Sequence, residues 1–167
     1  MTMPPVHMRD HGHGLGAAGL VISIHVAAMY LPSPLSGLLA DRAGRRATLG
    51  LGAATLLAAG LLAAAAPADS MVLLTVALAL LGIGWSLGLV AGTALVTDAA
   101  PLATRARTQG RVDLCVALAG AAGGVSSGLV VDLSGYETLS LLGAALALAM
   151  VPLLVAAGGR RPAPRRA

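Results

Sequence analysis

Lysine and phenylalanine are absent from this 167-residue chain, cysteine occurs once, and aromatic residues make up only 2% of it. Each scarcity excludes something. Without Lys the nucleotide-binding loop G-x-x-x-x-G-K-[ST] cannot be written, which removes ATP-driven chemistry of that kind. A lone Cys115 cannot form a disulfide within the chain and says nothing about redox compartment. The net charge of +4 would suit a nucleic-acid partner, but the Arg residues lie in short clusters between apolar runs, with no basic face interleaved with aromatics. Nucleic acid is therefore not an expected partner. Charged residues amount to 11%, where a soluble domain carries about 25%. No nucleophile triad and no poised pair of carboxylates stands out, so neither an enzyme nor a cofactor is expected.

What the chain does have is apolar surface. Hydrophobic residues make up 57%, and the mean hydropathy is +0.85. A soluble fold could not hide this much and still present a polar exterior, whereas lipid removes the difficulty. About 20 consecutive apolar residues cross a bilayer as a helix. Five such stretches are predicted, at about 15–40, 47–66, 70–97, 101–131 and 138–158. Strands are not expected, because period-two alternation is missing and Ala and Leu favour helix. The fold class is all-α integral membrane, with residues 15–158 as a five-span transmembrane domain, 1–14 as an external His-containing loop and 159–167 as a basic cytoplasmic tail. Met1 to Gly14 lacks the pattern of a cleavable signal peptide.

The Arg residues set the orientation. Alternating five spans across the membrane puts Arg42, Arg45, Arg46, Arg105, Arg107, Arg111, Arg160, Arg161, Arg165 and Arg166 on one side, and only Arg9 on the other. The positive-inside rule makes the Arg-rich side cytoplasmic. A multi-pass protein of the plasma (inner) membrane follows, with an external N-terminus and a cytoplasmic C-terminus.

The stretch Gly37-Leu38-Leu39-Ala40-Asp41-Arg42-Ala43-Gly44-Arg45-Arg46 resembles the loop signature G-x-L-a-D-R-x-G-R-R of the major facilitator superfamily, with every key position filled. The segment Leu81 to Gly88, then Gly92-Thr93-Ala94, Arg105, Arg107, Gly110 and Asp113, is similar to later helices of a half-transporter of that family. The run Gly120-Ala121-Ala122-Gly123-Gly124 is similar to its small-residue faces. The resemblance covers nearly the whole chain. In that family the signature follows the second helix of a six-helix half, whereas here it follows the first predicted span. The chain thus resembles helices 8–12 of a twelve-helix transporter, one helix short of a C-terminal half at its start. The resemblance implies secondary active transport of a small solute, as a permease or exporter coupled to protons, with lipid and the missing N-terminal helices as partners. The alternative is a small non-transporting membrane protein that associates with or regulates another membrane protein.

Several residues are candidates for function. Gly37, Asp41, Arg42, Gly44, Arg45 and Arg46 form the candidate gate loop, where Asp41 can pair with Arg42, Arg45 or an Arg of a neighbouring helix. The other reading makes these Arg residues topology markers only. His25 is the one ionisable residue well inside a span, which suits proton coupling or substrate contact; the competing reading is a neutral His bonded to a neighbouring helix. Trp85 lies mid-span as a substrate contact or a packing residue. Pro32 and Pro34 remove backbone donors and predict a bend. Gly84, Gly88 and Gly92, and likewise Gly120, Gly124 and Gly128, recur every four residues and predict helix-packing faces. Asp98 and Asp113 flank the second basic loop and are expected to pair with Arg105, Arg107 or Arg111. His7, His11 and His13, beside Asp10, offer imidazoles to a metal such as Zn or Cu, but without the spacing of a defined site; no metal is expected.

Overall fold

The computed structural model describes residues 3–12, 14–67 and 70–158. Every element in them is helical: α1 (Met3–Asp10), α2 (Leu15–Tyr30), α3 (Ser33–Arg42), α4 (Arg45–Ala65), α5 (Met71–Ala99), a short 3-10 turn at Leu102–Thr104, and α6 (Arg105–Gly158). In lipid a helix satisfies its backbone internally, which Ala- and Leu-rich runs do at little conformational cost. The breaks fall where the backbone must leave helical geometry. Gly12 (φ 81°) ends α1, and Gly44 (φ 90°) turns α3 into α4. Ser70 starts α5 by accepting a hydrogen bond from the Leu73 amide.

Four stretches are long and apolar enough to cross a membrane: Leu15–Arg42, Arg45–Ala65, Met71–Ala99 and Leu102–Met150. The last has 49 residues, roughly 73 Å of helix against a hydrocarbon core of about 30 Å. It is interrupted at Gly135 (φ 80°, ψ 170°). One cavity is lined both by Gly120 and Gly124 before the break and by Gly143, Ala147 and Met150 after it. These residues would stand tens of ångströms apart on a straight rod, so the chain reverses at Gly135 and α6 forms two arms. The expected loop 132–137 is thus a tight turn centred on Gly135 between two helical arms. The expected loop 1–14 also differs, because Met3–Asp10 is helix. Pro4 and Pro5 sit in its first turn, where no intrahelical donor is needed. The predicted span at 15–40 becomes two helices, α2 and α3, meeting at Leu31–Pro32.

The bundle has small side chains inside and large ones outside. Ala40, Ala53, Ala59, Ala77, Ala91, Ala144 and Ala147 are buried, while Leu20, Leu35, Leu61, Val72, Val125 and Leu129 are exposed. In water this arrangement would be unstable; in a bilayer it is the favoured one, because lipid solvates Leu and Val and small residues let helices approach. The α4–α5, α4–α6 and α2–α5 pairs make most of the interhelical contact. One end of the bundle gathers the α3–α4 turn and the end of α5. The opposite end gathers α1, Pro67, Leu74 and Gly135.

Candidate functional site

At the basic end, Gly44 lets α3 and α4 join through two residues. Its left-handed φ strains any side chain, so the glycine of the loop signature has a geometric reason. Thr48, the fourth residue of α4, is buried and its hydroxyl donates to the Gly44 carbonyl at 3.1 Å, bracing the turn. Arg45 starts α4 and forms an ion pair with Asp98 near the end of α5. Both charges are misplaced against their own helix dipoles, a cation at an N-terminus and an anion near a C-terminus. The antiparallel packing of α4 and α5 brings the two together, so each offsets the other. The partner is thus not Asp41, which is exposed and lines a pocket of about 590 Å³ with Ala40, Gly44, Arg45, Arg46 and Leu95. Nor does Asp98 pair with the second basic loop. Asp113 accepts from Gln109 Nε2 at 2.8 Å, one turn away on its own helix.

In the middle of the bundle His25 is only 3% exposed, and its Nδ1 lies 2.6 Å from the Leu78 carbonyl of α5. A carbonyl only accepts, so Nδ1 carries the proton and donates it. This bond ties α2 to α5, one of the two roles the sequence left open. Trp85 is 40% exposed, and it does not line the central cavity. That cavity, of about 560 Å³, lies between α4, α5 and the two arms of α6, with Leu56, Gly60, Leu81, Gly124, Ser140 and Ala147 among its walls.

The glycines divide unexpectedly. A Cβ on Gly84 would lie 2.8 Å from the Leu56 side chain, so Gly84 does hold α5 against α4. Gly88, Gly92, Gly120 and Gly124 have nothing within 4 Å of such a Cβ, and Gly128 meets only the Met3 methyl at 3.7 Å. Two helices crossing at an angle touch over a few turns and then diverge, so a shared face is not a shared contact. Close approach falls instead at Gly52 against α5, Gly60 against Ala144 and Ser140, and Gly82 against His25, Ala28 and Met29. Gly52 and Gly60 are eight residues apart on one face of α4, a spacing that reading α5 and α6 alone passes over.

Three hydroxyls also escaped the sequence. Ser86 Oγ lies 3.2 Å from Ser36 Oγ and 3.4 Å from Ser33 Oγ, with Ser36 and Ser86 buried. At the end opposite the Arg residues, His7 stacks on Tyr136 and lies 4.4 Å from His11 between ring centroids. Among the described residues no three His, Cys, Asp or Glu side chains gather as a metal site would require. His13 and the four Arg of the tail lie outside the described residues.

An all-helical bundle with alanine inside, leucine at its lipid-facing surface and its ion pair at one end is a multi-pass membrane protein. The chain belongs to the major facilitator superfamily, whose family model matches residues 1–167. It is 56% identical over 160 residues to YdeG of Bacillus subtilis (strain 168), described as an uncharacterized MFS-type transporter, covering 96% of this chain and 37% of that protein. It is 57% identical over 155 residues to YddS of the same organism, similarly described, covering 93% of this chain and 36% of the relative. The riboflavin transporter RfnT of Brucella anthropi is 34% identical over 156 residues, covering 93% of this chain and 39% of that protein. The chain thus spans little more than a third of the length of these relatives.

Proposed function

We propose that this chain supplies helices eight to twelve of a secondary active transporter for a small solute in the plasma membrane. The observation that carries the reading is the Arg45–Asp98 pair, which closes the basic end across α4 and α5 and takes its cation from a loop that resembles the family signature. An ion pair exposed enough to separate suits a gate that opens and closes in alternating access. Asp41 stands beside it in the same pocket as a second anion for the loop.

A chimera tests this. The 156-residue stretch shared with the Brucella riboflavin transporter is exchanged for this chain's, and riboflavin uptake is measured in cells that need external riboflavin. Uptake is expected, and Asp41→Asn in the chimera should slow it without lowering membrane insertion. Full insertion with no uptake would overturn the transport reading. It would favour the alternative, a small membrane protein that associates with another, whose support is the unfilled space beside Gly120 and Gly124.

Orientation belongs to the same proposal. The Arg-rich end is cytoplasmic, and α1 is external. In a Cys115→Ser background, a membrane-impermeant maleimide should label Arg9→Cys in intact cells. Labelling only after permeabilisation would reverse the topology. Proton coupling, if carried by this chain, would have to run through the remaining nitrogen of His25, Nε2, because Nδ1 is committed to Leu78.

A further inference from the structure

The junction between α2 and α3 is built unlike the rest of the bundle. Pro32 and Pro34 bring no amide hydrogens, so the carbonyls of Ala28 and Tyr30 lose the donors that a continuous helix would give them. The backbone nonetheless stays near helical geometry, with Leu31 N–H on the Ala27 carbonyl at 2.8 Å and Pro32 at ψ −5°. Such a junction is continuous in path but short of two hydrogen bonds, the usual origin of a bend in a membrane helix.

The two sides of the junction are held differently. On the α2 side the hold is firm. His25 donates to the Leu78 carbonyl at 2.6 Å, and Gly82 lies so close that a Cβ there would come within 2.7 Å of the His25 carbonyl. On the α3 side the helix packs on α4 and α5, but its polar contacts are hydroxyls alone. Ser36 donates its hydroxyl to the Pro32 carbonyl at 3.1 Å and, through its lone pairs, meets Ser86 Oγ at 3.2 Å; Ser33 Oγ stands 3.4 Å from the same oxygen. Ser36 and Ser86 are 1% and 2% exposed, so this contact is made inside the bundle.

We propose that Leu31–Pro32 is a hinge about which α3 swings, that the Ser36–Ser86 hydroxyl pair is its catch, and that the His25–Leu78 bond keeps α2 fixed while α3 moves. The hydroxyl chemistry suits a catch. Interhelical hydrogen bonds between side chains in membranes are weak. When α3 leaves, Ser36 keeps its bond to Pro32, and Ser86 can turn to the carbonyl four residues back in its own helix. Neither group is orphaned. The far end of α3 carries Asp41 and Arg42 and passes through Gly44 to Arg45, so the swing acts on the ion pair with Asp98. One motion is thus held at two levels, in the middle of the membrane and at its basic end. The device concerns helices of this chain alone and stands whichever solute is carried.

Spin labels read the motion directly, on the chain in lipid nanodiscs with Cys115→Ser. One label pair spans the moving side, at Leu38 on α3 and Leu89 on α5; a second spans the fixed side, at Leu20 on α2 and Val76 on α5. All four positions are exposed. The double variant Ser36→Ala/Ser86→Ala should raise the share of long Leu38–Leu89 distances roughly threefold and leave the Leu20–Val76 distribution unchanged. Ser86→Ala alone, which removes a single oxygen from both hydroxyl contacts, should act in the same direction and serves if the double variant folds poorly. His25→Ala should do the reverse, broadening Leu20–Val76. An unchanged Leu38–Leu89 distribution in both serine variants would overturn the proposal. So would equal broadening of both label pairs, since that is general loosening and not a hinge.

Discussion

Gly82→Ala should separate α2 from α5, and Gly82→Val should do so more severely. The new Cβ would lie 2.7 Å from the His25 carbonyl, 2.9 Å from the Ala28 Cβ and 3.0 Å from the Met29 amide nitrogen. Two of these three atoms are backbone, so relief requires the helices themselves to move apart. Two effects of opposite sign compete. Replacing Gly by Ala inside a helix gains about 1 kcal/mol of propensity. Overfilling a close-packed contact costs about 1–3 kcal/mol and also strains the His25–Leu78 bond beside it. The clash is expected to win at Gly82. At Gly88, six residues along the same helix, the same substitution meets nothing within 4 Å, and only the propensity gain remains. Thermal unfolding in detergent should therefore show Gly82→Ala melting below the parent protein and Gly88→Ala melting level with it or above. Equal behaviour of the two variants would mean that the α2–α5 approach is looser than the structure shows.

The second large effect is expected from exchanging the charges at the basic end. Arg45→Asp alone places two carboxylates where Asp98 now has a cation; Asp98→Arg alone places two guanidiniums there. Both single reversals should open the end. The double exchange, Arg45→Asp/Asp98→Arg, restores the pair and puts an anion at the start of α4 and a cation at the end of α5. Both helix dipoles then favour what they opposed before. After allowing for solvent screening of a pair this exposed, the gain is about 1 kcal/mol, roughly a fivefold shift toward the paired state. Maleimide labelling of Leu95→Cys, in the pocket beside the pair, reads the change in a Cys115→Ser background. Labelling should be faster than in the parent for each single reversal and slower for the exchange. Under the proposed gating role, the exchanged protein should turn over more slowly although its charges are paired. If the exchange labels as fast as the single reversals, the pair does not hold the end closed.

Much of the architecture could be read from hydropathy, because lipid imposes one rule on every span and the chain obeys it with long uncharged runs. Turns were harder. The stretch 132–137 carries Asp132 and Glu137 and reads as a loop, yet a single glycine in left-handed geometry turns the chain there. Period-four glycines define a face on one helix, but which of them meets a neighbour depends on the crossing angle, and that is a property of two helices. This is why an added methyl would clash at Gly84 but meet open space at Gly88 and Gly92. The Asp98 pairing is half legible in the sequence. The residue is the one acid at the end of a long uncharged run, on the same side as the Arg cluster, but its contact with Arg45 exists only once α4 and α5 lie antiparallel. The serine pair carried no sequence signal, since serines are common in membrane helices and only the fold sets Ser36 against Ser86.

The distribution of size across the bundle bears on how such a sequence can drift. The outer surface asks only for bulk and apolarity, so Leu, Val, Ile and Met can replace one another there at little cost. The tightest inner seams admit almost no growth, because an added methyl at Gly60 or Gly82 meets backbone within about 3 Å. Substitutions in relatives should therefore be frequent in kind but narrow in volume outside, and rare inside except between Gly, Ala and Ser. Such a protein would remain recognisable longest by its smallest residues.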